Sequence, residues 1–153
     1  MIGVDASTAA KWVLLDEAYA DNARALYLAA KRDRQLIVAP PLILSEVTNV
    51  FRQRVRRQAL TTDEAVEGLT KFLGLSIVLT MPRRLYQRAL AIANDFSLPA
   101  VYDAQYVALA EAFGYELWTD DQRLLRAVGN DLSYVRWIGD YEDNSTRKEP
   151  DDS

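Results

Sequence analysis

The chain has 153 residues, 50% of them hydrophobic and 26% charged, the balance of one ordinary globular domain. It contains neither Cys nor His. That excludes zinc sites built from those residues, Ser-His-Asp triads, Cys nucleophiles with a His base, and nucleases built on a His pair. The formal charge of −4 belongs to the stretch from Gly139 to Ser153. There Asp140, Glu142, Asp143, Glu149, Asp151 and Asp152 face only Arg147 and Lys148, so the body before them is neutral. Net acidity therefore does not argue against a nucleic-acid partner, because local patches decide that.

The chain opens on a short apolar run, Ile2 to Asp5, followed by Ser7 and Thr8 as N-cap candidates. This predicts a strand and then a helix over Ala9 to Leu15. A second helix is expected from Tyr19 to Lys31, with Ala23, Leu26, Tyr27 and Ala30 on one side. Leu36 to Ala39 reads as a strand closed by Pro40 and Pro41. Proline suits a helix start, and Leu42 to Gln58 follows as a long helix with a basic end. Thr61 to Glu64 carries an N-cap and first-turn acids for a helix to Leu73, which Gly74 ends. Ser76 to Leu79 predicts a strand, and Pro82 to Phe96 a helix. Val101 to Phe113 predicts another helix, Glu116 to Thr119 a strand, Gln122 to Val128 a short helix and Ser133 to Ile138 the last strand.

Strands alternating with helices specify a parallel sheet covered on both faces. One domain is expected over residues 1–138, with an acidic, disordered tail over 139–153. No apolar run is long enough to cross a membrane. The opening MIGVDAST has no basic n-region and no long apolar h-region, so no signal peptide is expected and the cytoplasm is the default location.

In such sheets ligands bind at the carboxyl ends of strands. Asp5 and the Asp120–Asp121 pair stand at two of those ends. As turn or cap residues they would need no further explanation, and one of the pair would serve as an N-cap while the other faces a ligand. Glu46 lies in line with Leu42, Ile43, Asn49 and Val50 on its helix. An acid on that face needs a metal or an arginine. Asp103, in line with Val107 and Ala110, is either a site acid or a helix-dipole acid. Ser7 and Thr119 flank these acids, as ligand contacts or as cap and turn residues. Gathered in one pocket, the acids would raise one another's pKa and require a cation. Oxygen donors alone select a hard ion, Mg²⁺ or Mn²⁺. Such a site suits in-line phosphodiester hydrolysis by metal-activated water, with no side-chain base.

Three stretches, VDAST, PPLILSEVTNVF and YDAQYVALAEAFGYELWTDDQRLL, occur in an order and spacing that resembles the PIN-domain ribonucleases. The similarity is greatest to the VapC-like toxins of toxin–antitoxin pairs. The resemblance implies a three-layer α/β/α sandwich with a mainly parallel five-stranded sheet. It also implies a Mg²⁺- or Mn²⁺-dependent endoribonuclease, with Asp5, Glu46, Asp103 and Asp121 as the acidic, metal-holding and catalytic set. Asp121 fills the acid of a T-x-D pattern that begins at Thr119, and Asp120 its variable place. A homodimer and a small antitoxin partner are implied as well. The antitoxin would lie in an apolar groove, for which Trp12 and the helices from Thr8 to Lys31 are candidates, burial of Trp12 in the core being the alternative. For the RNA backbone, Arg52, Arg56 and Arg123 are the preferred contacts among a set that includes Arg54, Arg57 and Arg126.

Two other readings differ in class. A catalytically inert PIN-fold binding module would keep the fold without the chemistry. A phosphate-receiver signalling domain would need an acidic pair at the first strand and a Lys after a late one. Here Asp5 is followed by Ala6, and no Lys follows Thr119 or Ile138.

Overall fold

Short runs rich in β-branched and large apolar residues form the strands in the computed structural model, which describes residues 1–146. They are β1 (Ile2–Val4), β2 (Ile37–Ala39), β3 (Val78–Leu79), β4 (Leu117–Thr119) and β5 (Val135–Trp137). They make one parallel sheet in the order β3-β2-β1-β4-β5. The helices are α1 (Ala6–Ala9), α2 (Ala20–Arg32), α3 (Leu42–Arg56), α4 (Thr62–Leu73), α5 (Leu85–Asp95), α6 (Tyr102–Phe113) and α7 (Gln122–Val128). Helical crossovers cover both faces of the sheet, so the protein is a three-layer α/β/α sandwich.

The chain runs outward from β1 to β2 and β3, then returns to the other side of β1 as β4. Strand order therefore reverses between β1 and β4, the place where open α/β sheets form ligand crevices. Gly3 pairs with Leu117 and Val4 with Trp118, which brings Asp5 level with Thr119.

The alternation of elements matches the expected one, with shorter strands at β3 and β5 and with α5 starting at Leu85 instead of Pro82. Thr61 and Glu64 form a reciprocal capping box at the start of α4. The first helix differs most. It begins at Ala6, not Ala9, and passes at Ala10–Trp12 into a 3-10 turn. Asp5, not Ser7 or Thr8, is its N-cap, with the carboxylate accepting from the Thr8 N–H.

Helix α6 packs on β1 and β4 and against α5. It is buried on every side from Ala104 to Ala110, because α5 covers the flank that a surface helix would show to water. Gly114 ends it at φ +68°, where glycine has no Cβ to clash. The Tyr115 ring lies over β1 because residue 3 is glycine: a Cβ there would overlap the ring. Trp12 belongs to the core, not to an open groove. Its Nε1 donates to the Ala23 carbonyl at 2.8 Å, and its ring lies 5.0 Å from that of Tyr27.

Packing continues past Ile138, where the sequence places the start of the acidic tail. The Asn22 amide donates to the Gly139 and Tyr141 carbonyls, Tyr141 meets Trp118 edge-on, and Arg32 pairs with Asp143. The rest of the expected tail, residues 147–153, lies outside the described residues. Among the described residues no helix is long and apolar enough to cross a membrane.

Candidate active site

A pocket of about 440 Å³ opens at the carboxyl end of β1, and Asp5, Glu46, Asp103 and Asp121 all line it. Four elements deliver them. Asp5 ends β1, Glu46 sits on α3, Asp103 on the first turn of α6, and Asp121 caps α7. Leu42, Val50, Tyr102 and Tyr106 give the pocket an apolar wall, and Ser45 and Asn49 join Ser7 as neutral polar groups.

Asp5 is buried and held by three donors. Ser7 Oγ and the Thr8 N–H donate to Oδ1 at 2.6 and 3.1 Å, and Thr119 Oγ1 donates to Oδ2. Burial raises its pKa, against these hydrogen bonds, to about 6, and the Asp103 carboxylate adds to the rise. Ser7 Oγ and Thr119 Oγ1 also accept the backbone N–H groups of Asp120 and Asp121, each at 2.9 Å. The two hydroxyls thus stitch the end of β4 to the end of β1. Thr119 is fully buried, and its hydroxyl is engaged by Asp5 and the Asp121 N–H.

Among the described residues Glu46 has no arginine partner. Its Oε1 accepts from Tyr106 Oη at 2.5 Å, and burial, followed by repulsion from Asp103 and Asp121, raises its pKa. Asp103 makes no hydrogen bond or ion pair with any described residue. Burial and the Asp121 carboxylate raise its pKa as well. Asp121 places Oδ1 on the N–H groups of Arg123 and Leu124, at 3.0 and 3.3 Å. Its nearest cation, Arg123, is 83% exposed and 4.0 Å away, a separation and exposure at which an ion pair contributes little.

Asp120 turns elsewhere. It pairs with the buried Lys11 at 2.9 Å, accepts from Trp137 Nε1 at 2.9 Å, and does not line the pocket. The cations also divide. Arg52 borders a shallow depression that shares Ser45 and Asn49 with the acidic pocket. Arg123 stands at the acids and opposes the rise at Asp103. Arg56 is exposed, one turn past Arg52, and donates to Gln53 at 3.4 Å. Arg54 is taken up by Asp16 and Glu17, each at 2.8 Å.

The donor chemistry fits a hard cation, because every acid is an oxygen ligand and, among the described residues, only the exposed Arg123 stands against the set. The spacing is open: among the described residues no three acids close on one point as a fully protein-ligated ion requires. Magnesium commonly keeps several waters and takes only one or two carboxylates, and an acid-lined pocket of this breadth accommodates that form.

Sequence reasoning missed Tyr106 and Lys11. Tyr106 follows Asp103 by one helical turn, a spacing that places both on one face. Lys11 interrupts the apolar run Ala9 to Leu15, where a cation needs a buried partner.

Fold and pocket define an α/β/α protein with an acid-lined crevice at the reversal of strand order. The family model of the PIN domain matches residues 2–130. Ribonuclease VapC12 of Mycobacterium tuberculosis is 34% identical over 130 residues, covering 85% of this chain and 94% of that protein. VapC ribonuclease Mb0985 of Mycobacterium bovis is 35% identical over 124 residues, covering 81% and 88%. The crystal structure of PAE2754 from Pyrobaculum aerophilum superposes with a TM-score of 0.64 at 25% identity, covering 90% of each chain. The chain belongs to the PIN domain family, and within it is similar to the VapC ribonucleases.

Proposed function

We propose that this protein is a Mg²⁺- or Mn²⁺-dependent endoribonuclease, the toxin of a toxin–antitoxin pair. The observation that supports the reading is that Asp5, Glu46, Asp103 and Asp121 line one pocket, with the exposed Arg123 the one cation beside them among the described residues. Similarity to proteins named as VapC ribonucleases supports it.

Asp103, Asp121, Asp5 and Glu46 are the residues that would hold the ion. When bound, such an ion lowers the pKa of a water and offsets charge on the leaving oxygen. The chain's own groups prepare the place. Ser7, Thr8 and Thr119 aim the Asp5 carboxylate, and Tyr106 orients Glu46. Leu42, Val50 and Tyr102 offer an apolar wall to an unstacked base beside the scissile phosphate. Arg52 and Arg123 supply positive charge for the phosphate backbone, with Arg56 one turn further along α3. A homodimer, a small antitoxin and a cytoplasmic setting belong to the same reading.

One observation favours a second reading, a catalytically inert PIN-fold binding module: the acids do not close on a single point. The experiment that separates the two is incubation of the purified protein with structured RNAs, with and without Mg²⁺ or Mn²⁺, followed by mapping of the cut ends. Discrete cuts that need the cation support the nuclease. Intact RNA at every metal concentration supports the inert module. Growth arrest on expression, relieved by a neighbouring small gene product, tests the toxin role.

A further inference from the structure

Two adjacent acids follow β4, and only one of them reaches the pocket. Asp121 lines it and Asp120 does not. The difference traces to Lys11. This lysine sits in the 3-10 turn after α1, is 4% exposed, and places Nζ 2.9 Å from Asp120 Oδ2. The other Asp120 oxygen accepts from Trp137 Nε1 at 2.9 Å. A cation this deeply buried is tolerated only against a carboxylate, and the carboxylate in turn is held where the cation is.

The backbone between the two acids is tied to the same place. Asp120 N–H donates to Ser7 Oγ and Asp121 N–H to Thr119 Oγ1. Those two hydroxyls also donate to Asp5. A shift of Asp120 would therefore move the peptide that presents Asp121 and loosen the donors that aim Asp5.

We propose that Lys11, assisted by Trp137, is a positioning residue that holds Asp120 out of the acidic pocket and thereby sets Asp121 within it. Lys11 touches neither RNA nor ion; it acts through Asp120. Without its ammonium, Asp120 is a poorly solvated charge left with Trp137 Nε1 and a longer contact from Gln122 Nε2 at 3.5 Å, both on Oδ1, and it relaxes toward water or toward the pocket. The inference rests on the metal-binding reading of the pocket for its consequence, but not for its geometry.

The test uses the full chain as wild type, Lys11→Met, Trp137→Phe, and Lys11→Met with Asp120→Asn. Amide hydrogen exchange is followed in metal-free protein, and Mn²⁺ binding is read from the electron paramagnetic resonance signal of the free ion. In Lys11→Met, exchange at Asp120 and Asp121 should accelerate by about tenfold or more, and Mn²⁺ affinity should fall by about 10- to 100-fold. The double variant should regain most of that affinity, because the neutral amide still accepts from Trp137 and leaves no charge to relocate. A lysine that only stabilises the fold would lower the melting temperature without moving either local readout. Should Lys11→Met fail to fold, Trp137→Phe carries the prediction, with a smaller loss of about threefold and faster exchange at Asp120. Wild-type exchange at Asp120 and Asp121 together with wild-type Mn²⁺ affinity, in whichever of the two variants folds, overturns the proposal. A wild-type protein that takes up no Mn²⁺ contradicts the metal reading instead, and the exchange rates then decide the positioning role by themselves.

Discussion

Glu111, Asp16 and Glu17 lie 2.6 to 2.8 Å from guanidinium groups of Arg88 and Arg54. Among the described residues, Asp5 and Glu46 meet hydroxyls and a backbone amide, and Asp103 makes no hydrogen bond or ion pair. The arginines hold the carboxyls of Glu111 and Asp16 below the usual range, whereas burial pushes those of Asp5, Glu46 and Asp103 above it. One chain thus neutralises acids on its surface and leaves them uncompensated at the end of β1. Arginine is available nearby: Arg54 stands two turns along α3 from Glu46, yet it faces the loop that carries Asp16 and Glu17. Uncompensated buried acids disfavour folding, and such clusters mark functional sites more often than structural ones.

The largest effect that would break this contrast is expected from Asp103→Asn. Asp103 makes no side-chain bond with any described residue, so the variant should fold as the wild type does, while metal-dependent RNA cleavage should fall by at least about 100-fold. Full cleavage by the folded variant contradicts the account. Thermal melting with added Mn²⁺ sharpens it. At about 100 times its dissociation constant, a ligand that binds only the folded state adds about 2.7 kcal/mol. The wild type should gain on that scale, and Asp103→Asn much less.

Next in size is a dependence on pH. A carboxyl near 6 in the folded chain and near 3.8 in the unfolded one disfavours folding by about 3 kcal/mol at neutral pH. The sign follows from the raised value. Its contribution is most favourable below the unfolded pKa and is lost as pH rises through about 6. Metal-free protein should therefore be more stable at pH 5.5 than at pH 7.5 by about 0.8 kcal/mol from this group, as read by urea denaturation. Asp5→Asn should flatten that difference, and an unchanged slope in the variant would remove Asp5 as its source. Smallest is the surface control. Arg88→Ala should change stability by less than about 1 kcal/mol and leave Mn²⁺ binding untouched.

Much of this contrast is legible in the chain itself. The β/α alternation follows from short apolar runs and capped periodic stretches. The carboxyl ends of β1 and β4 draw attention to Asp5 and to the Asp120–Asp121 pair because ligand crevices form there, and the resemblance to the PIN domain, not the strand end, selects Asp121 from the pair. Glu46 stands out because an acid falls among Leu42, Ile43 and Val50. Partner choice over long separations is not legible. Nothing local tells that Lys11 meets Asp120 or that Tyr106 meets Glu46, since the sheet order brings them together. The start of α1 escapes local reading for a related reason. Asp5 caps the helix as well as lining the pocket, and the Ser7 hydroxyl that resembles a cap is directed at Asp5 instead.

Titration calorimetry of the metal-free chain with Mn²⁺ at pH 7.5 tests the central claim most directly. A saturable heat in the wild type, lost in Asp103→Asn and kept in Arg88→Ala, is the predicted result. No heat in the wild type, or the same heat in all three proteins, would contradict it.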